Sequence, residues 1–222
     1  MANSTFANTL LVVIYSKPMY GSLPLLEEVY RAAFPHIVYA TPMLPEEHRG
    51  AVLGGTSPPA HVPLAIGGSS LFYECLAQVM TAYPHHDGYL LMHDDLVLNF
   101  WQLRRFNRCK LWSPMHDAIH SLTHPPTRWW WVEPHIGLDA ALHAYSSLTV
   151  GDRVSLAVAT HHPHAVMGGY SDVYYIPQRH RVRYTQLSSV FASAAVWVEI
   201  AVPTILGILA GDDARSATPG AD

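Results

Sequence analysis

Apolar residues recur along this chain in two rhythms, one of strands and one of helices. Leu10-Leu-Val-Val-Ile-Tyr15 is an unbroken apolar run of strand length, the pattern of a strand buried on both faces of a parallel sheet. Ser16-Lys17-Pro18 breaks the run, and between Leu23 and Phe34 the positions Leu26, Val29, Tyr30 and Ala33 fall at helical spacing. His36-Ile-Val-Tyr-Ala40 predicts a second strand. Strand, helix and strand within about thirty residues form a βαβ unit, whose crossover requires parallel strands and gathers ligands beyond their carboxyl ends. Candidate chemistry therefore falls near Tyr15 to Pro18.

Thr41 to Gly68 is rich in Pro and Gly without periodicity and reads as a long surface loop. Ser69 is an expected N-cap for a helix to Tyr83, with Leu71, Phe72, Cys75, Leu76, Val79 and Met80 at helical spacing. After the Pro84-His-His-Asp-Gly88 turn, Tyr89-Leu-Leu-Met92 predicts a third apolar strand that runs into His93-Asp94-Asp95. Further on, Leu96 to Trp112 reads as mostly helical, Arg128 to Val132 as a strand and Leu138 to Ser146 as a short helix. Val154 to Thr160 and Val173 to Ile176 read as strands, and Gln186 to Leu209 as helix around a break at Pro203. The expected fold class is α/β, a single domain over 1–211 with a mostly parallel central sheet flanked by helices, followed by a small, polar, disordered tail at 212–222.

Composition narrows the class. Hydrophobic residues make up 50% of the 222 and there are 17 prolines, which argues against a solenoid, a coiled coil or a disordered chain. Only 14% are charged, against roughly 25% in an average globular protein, so a large share of the chain is expected in core or covered cleft. Thirteen Lys and Arg against 17 Asp and Glu give a formal charge of −4, and no basic run exceeds Arg104-Arg105; nucleic acid is not an expected partner. Fifteen histidines make that charge sensitive to mildly acidic pH. Cys75 and Cys109 offer neither a disulfide framework nor zinc spacing. The N-terminus has no basic leader, and Leu10–Ile14 is too short for a signal-peptide core. Val190 to Gly211 has the length of a membrane span but carries Glu199 and Pro203, so a buried helix is expected there and a membrane is not an expected partner.

Two adjacent carboxylates, Asp94 and Asp95, at the end of a buried strand are costly unless they meet a cation, and a hard divalent ion is the simplest. Alternation puts His93 and Asp95 on one side of the chain and Asp94 on the other. The plainer reading is a solvated strand end with a helix cap. Glu199, in Trp197-Val-Glu-Ile-Ala-Val-Pro203, is a carboxylate among apolar residues, where desolvation would suit it to proton transfer; the alternative is an ion pair with Arg179, Arg181 or Arg183. Trp129-Trp130-Trp131 offers flat faces for sugar rings or a core strand. His116 with His120, and His161-His162-Pro-His164, are candidate metal ligands, although the first pair lacks the Glu of a zincin helix. There is no GxxxxGK[ST], GxGxxG or GxSxG, which removes the main support for an ATPase, a dinucleotide dehydrogenase or an α/β-hydrolase.

Strand, helix, strand, long loop, helix, and then Gly88-Tyr-Leu-Leu-Met-His-Asp-Asp95 resembles the nucleotide-sugar-dependent glycosyltransferases of the GT-A fold, over about the first hundred residues. In that family the first strand and loop hold the nucleotide and the central strand ends in Asp-x-Asp. The resemblance implies a single GT-A-like (Rossmann-like) domain, with 1–100 as the nucleotide-sugar half and 101–211 as the acceptor side. It implies Mn²⁺ or Mg²⁺ bridging the diphosphate of a nucleoside diphosphate sugar, most simply a UDP-sugar, and a glycan or other hydroxyl acceptor. His93 stands where the first Asp of the motif normally is, with Asp94 in the middle and Asp95 at the final Asp. His93 either ligates the metal or hydrogen-bonds the donor while Asp95 alone touches metal.

Tyr15, Ser16, Lys17, His93, Asp94 and Asp95 are then the donor-binding candidates, and Asp95, His93 and His164 the metal-ligating ones. Gly168-Gly-Tyr-Ser-Asp-Val-Tyr-Tyr-Ile-Pro177 resembles the later acceptor-side turn of such enzymes. Ser171 and Trp130 are acceptor-binding candidates, and Glu199 with Asp172 the catalytic ones, Glu199 as general base. Most eukaryotic relatives of this kind work in the Golgi lumen behind an N-terminal anchor, which is not read in this sequence, so the expected location is the Golgi lumen for an excised domain and otherwise the cytoplasm. Two rival readings are a His/Asp metal-dependent hydrolase built on His116, His120, His161 and His164, and a non-catalytic sugar-binding domain.

Overall fold

The computed structural model describes residues 6–15, 20–41, 60–63, 72–105, 107–113, 118–124 and 137–217. The chain divides into two compact units, each assembled from separated stretches. The first comprises Met1–Ser69, Gln78–Trp112 and Asp172–Arg179, and the second Ser70–Ala77, Ser113–Ser171 and His180–Asp222.

The first unit is built on a five-stranded sheet. Its strands are β1 (Thr9–Ile14), β2 (His36–Thr41), β3 (Ala60–Pro63), β4 (Gly88–His93) and β7 (Val173–Pro177), in the order β3-β2-β1-β4-β7. The first four are parallel; β7 runs antiparallel to β4, with Met92 opposite Val173 and Gly88 opposite Pro177. All six residues of β1 are buried, which is why Leu10–Ile14 is continuously apolar rather than alternating. The architecture is thus mixed α/β with a mostly parallel central sheet flanked by helices, consistent with a Rossmann-like domain.

Helix α1 (Leu23–Tyr30) buries Leu23, Leu26 and Tyr30 and carries a proline in its first turn, where the missing N–H costs nothing. It ends at Tyr30, earlier than its periodicity predicts. Arg31 instead forks onto Glu27 at 2.7 and 2.5 Å and reaches the Pro35 carbonyl at 2.8 Å. Leu11, Val13, Ile37, Tyr39, Leu90 and Met92 of the sheet share one core cluster with the buried face of α1. Gly88 is required by a close approach: a Cβ there would lie 2.0 Å from the Tyr175 hydroxyl.

Several segments differ from their predicted form. Among its described residues the segment 96–112 forms no α-helix, only a 3₁₀ turn, Phe100–Arg105. Its apolar residues are held singly: Leu98 donates its N–H to the Tyr30 hydroxyl at 2.6 Å, and Phe100 packs edge-on to Tyr30 and Phe34. Trp112 ends the segment by pairing its backbone with Tyr175. Strand β3 lies within the stretch read as loop, and the predicted strand at 128–132 lies outside the described residues. Helix α2 (Phe72–Ala82) falls close to its predicted place.

The second unit contains a two-stranded antiparallel sheet of β5 (Ala118–Ser121) and β6 (Ala165–Gly168), with helices α3 (Asp139–Ser147), α4 (Val150–Thr160), α5 (Arg181–Ser193) and α6 (Val198–Ser216). Helix α4 replaces the strand expected at 154–160. Its start is a capping box: the Asp152 N–H donates to Thr149 Oγ1 at 3.1 Å, and the Thr149 N–H to Asp152 Oδ2 at 2.8 Å. Its β-branched residues Val150, Val154 and Val158 point outward, and Asp152, Ser155, Leu156 and Thr160 point in. The break near Pro203 falls instead at 194–197, with Pro203 inside α6. That helix continues through Asp212 to Ser216, into the stretch read as tail. A Cβ on Gly211 would lie 1.9 Å from the Ser155 carbonyl oxygen, so glycine allows α4 and α6 to touch backbone to backbone. No helix among the described residues is long and apolar enough to cross a membrane.

Arg183 ties this unit together by pairing with Asp152 and, at 3.2 Å, with Asp212, which also takes a 2.5 Å hydrogen bond from Ser155. Burial pushes the Asp152 carboxyl up, but hydrogen bonds from Thr149 and the Arg183 guanidinium outweigh it and hold the carboxyl below its ordinary value. Its contribution to stability is therefore fully present above the unfolded value near pH 4 and is lost as pH falls through the lowered one. Asp152→Asn is expected to cost about 2–3 kcal/mol at neutral pH, below the figure for a wholly buried pair because a third of Arg183 is exposed. Chemical denaturation at pH 7 and pH 3 checks both points, the variant losing less than the wild type on acidification.

Candidate active site

The chain crosses from β1 to β2 on one side and returns to β4 on the other, so the carboxyl ends of β1 and β4 lie side by side where the winding direction reverses. Open parallel sheets collect ligands at that position. Ile14, the last residue of β1, is in register with His93, the last of β4, and the Asp94 N–H extends the ladder by donating to the Ile14 carbonyl at 3.0 Å. The other side of His93 meets the incoming β7: its N–H donates to the Asp172 carbonyl at 3.0 Å, and its Nδ1 lies 3.5 Å from Asp172 Oδ1. The chain then turns, the Leu96 N–H reaching back to the His93 carbonyl at 3.3 Å, which leaves Asp94 half-buried and Asp95 exposed.

Electrostatics at this point are dominated by one imidazole among carboxylates. Burial pushes the His93 value down, while Asp172, Asp95 and Asp94 each favour its protonated form; burial prevails and the value stays below the ordinary one. The imidazole is therefore neutral at neutral pH, and its contact with Asp172 becomes an ion pair only in acid. The Asp172 side chain is 46% exposed against 13% for His93, so it is the carboxylate of this pair that solvent reaches.

The sequence candidates separate clearly. His93, Asp94, Asp95 and Asp172 are brought together in the first unit. Tyr15 is completely buried, with its hydroxyl 2.9 Å from Ser22 Oγ and its ring 6.4 Å from that of Tyr39; its side chain belongs to the core. Ser16, Lys17 and Trp130 lie outside the described residues, as does His116. Ser171, His164 and Glu199 belong to the second unit. Ser171 is buried and its hydroxyl donates to the carbonyls of Val198 at 3.2 Å and Gly169 at 3.4 Å. His164 is exposed with φ 56°, its N–H 3.3 Å from the Tyr145 hydroxyl. Glu199 lies in the first turn of α6, half-buried, and its carbonyl accepts the Gly169 N–H at 2.9 Å. Arg183, one of its expected partners, is committed to Asp152 and Asp212.

Oxygen donors beside a neutral imidazole suit a hard or borderline divalent cation. Among the described residues no group of three or more His, Cys, Asp or Glu is arranged to hold a metal. The donor set fits an ion shared between one or two carboxylates and the phosphates of a ligand, the usual manner of Mg²⁺, rather than an all-protein cage. His120, buried in β5 and pushed down by that burial, joins no such group either. The contact of Asp172 with His93 escaped the sequence reading, because it depends on β7 pairing with β4 from far along the chain.

Two curated proteins of Arabidopsis thaliana show distant similarity to this chain. Probable glycosyltransferase STELLO2 is 25% identical over 136 residues, covering 59% of this chain and 17% of its own length. Probable glycosyltransferase STELLO1 is 24% identical over 135 residues, with the same coverage. The chain thus spans about a sixth of the length of the relatives it matches. No family model and no solved structure matches it.

Because the Asp172 carboxylate partly offsets the burial of His93, Asp172→Asn is expected to lower the His93 titration midpoint further. Nuclear magnetic resonance of the imidazole resonances across pH 4–8 reads this directly. A midpoint that stays put or rises would separate the two side chains in solution.

Proposed function

We propose that this chain carries the donor site of a glycosyltransferase that moves a sugar from a nucleoside diphosphate sugar, a UDP-sugar, to a hydroxyl acceptor such as that of a glycan. The observation that carries the reading is the convergence of His93, Asp94, Asp95 and Asp172 at the carboxyl ends of β1 and β4. The distant similarity to two proteins named as probable glycosyltransferases supports the class of activity. The GT-A type, the UDP-sugar and the metal are finer points of the same reading.

In the proposed reaction the acceptor oxygen forms a bond to the anomeric carbon, the bond from that carbon to the diphosphate oxygen breaks, and the diphosphate leaves with the electron pair. The acceptor proton passes to a carboxylate, for which Glu199 is the first candidate and Asp172 the second. Asp95, with Asp94 or His93, would hold Mn²⁺ or Mg²⁺ together with the donor phosphates, and a bound ion supplies charge that stabilises the departing diphosphate.

Asp95→Ala is expected to weaken Mn²⁺-dependent UDP binding at least about tenfold, roughly 1.4 kcal/mol, with the fold intact. Calorimetric titration checks it, and unchanged affinity in the folded variant removes Asp95 from the site. Glu199→Gln retains shape but cannot take a proton, so turnover is expected to fall about 10²-fold while UDP affinity holds. A variant with a lowered melting temperature and normal turnover per folded molecule would instead make Glu199 structural.

A further inference from the structure

In an uninterrupted helix the N–H of residue 203 would donate to the carbonyl of Glu199. Pro203 has no N–H, and its ring displaces the carbonyl four residues earlier away from the helix axis. That carbonyl is put to use: it accepts the Gly169 N–H at 2.9 Å. The neighbouring contacts follow the same line. Thr204 Oγ1 accepts the Met167 N–H at 3.0 Å and donates to the Met167 carbonyl at 3.1 Å, and Ser171 Oγ donates to the Val198 carbonyl at 3.2 Å.

Met167, Gly169 and Ser171 alternate along an extended chain and so address one edge. β5 pairs with the other edge of β6. The first two turns of α6 therefore stand in for a neighbouring strand, and what lets a helix do so is the carbonyl that the proline releases. Gly207, one turn on, faces the Met167 side chain.

We propose that Pro203 is a positioning residue for the Glu199 carboxylate. It tilts the first turn of α6 and frees the Glu199 backbone to be pinned by Gly169, which fixes the direction in which the side chain leaves. The proposal rests on the reading of Glu199 as the proton acceptor. Alanine at 203 restores the N–H, which draws the Glu199 carbonyl back into the helix and into competition with Gly169. Since alanine favours a helix interior over proline, Pro203→Ala is expected to fold.

Amide hydrogen exchange on the full chain, and release of UDP from a panel of UDP-hexoses with Mn²⁺ and a sugar acceptor, test the proposal. In Pro203→Ala the Gly169 amide is expected to exchange about tenfold faster. The kcat per folded molecule is expected to fall about tenfold with donor KM within about twofold, a split that loss of donor binding does not produce. Unchanged exchange at Gly169 overturns the proposal, because Pro203 then does not control the contact. Faster exchange with unchanged kcat also overturns it. Glu199→Gln run in parallel locates the fault: normal turnover there condemns the assignment of Glu199 rather than the role of the proline in the fold, and a wild type inactive on the whole panel overturns the proposed function together with this inference.

Discussion

The pairing of β1 with β4 is the constraint on which the first unit depends. β1 has β2 on one edge and β4 on the other, so its backbone groups are committed in both directions and both its faces must be covered by apolar residues. That requirement explains the composition of Leu10–Ile14 and Tyr89–Met92, where no polar side chain interrupts. It also fixes where polarity resumes. At the carboxyl ends the ladder runs out, at Tyr15 on one strand and at His93-Asp94-Asp95 on the other, and charged groups stand where the sheet no longer needs apolar ones. The position of the site is thus a by-product of how the sheet is closed.

The second unit solves a different problem, the open edge of a two-stranded sheet. Two strands alone are marginal in water, and an uncovered edge invites pairing with other chains. Helix α6 covers it with backbone and hydroxyl groups, a task helices rarely perform because their carbonyls are used internally. One proline and one threonine, Pro203 and Thr204, supply the exceptions. Gly211 brings the same helix against the Ser155 backbone, so a single element carries both the edge cover and the packing of α4. The Arg183 pairs with Asp152 and Asp212 then join α5 to both helices.

Where the sequence was legible, the reason was local. Continuous apolar runs mark β1 and β4 because parallel strands are buried on both faces, and helical spacing marks α2 and α3. Val154 to Thr160 misled because β-branched residues were read by propensity, while their outward direction and the Thr149-x-x-Asp152 cap carried the true signal. The segment 96–112 misled for another reason: Leu98 and Phe100 are held by contacts to α1, not by their own periodicity. For the site, the acidic strand end could be read from spacing alone. The approach of Asp172 to His93 could not, because it is set by an antiparallel strand some eighty residues away and leaves no local mark.

The balance at His93 has a consequence for what can enter the site. A protonated imidazole would cancel part of the charge of Asp94, Asp95 and Asp172. Burial keeps it neutral at neutral pH, so it cancels none of the carboxylate charge at this strand end. A diphosphate approaching that negative field alone is repelled. Under the proposed function the donor can bind there only with its charge offset. A cation shared with the carboxylates would supply that offset, and the neutral imidazole would not.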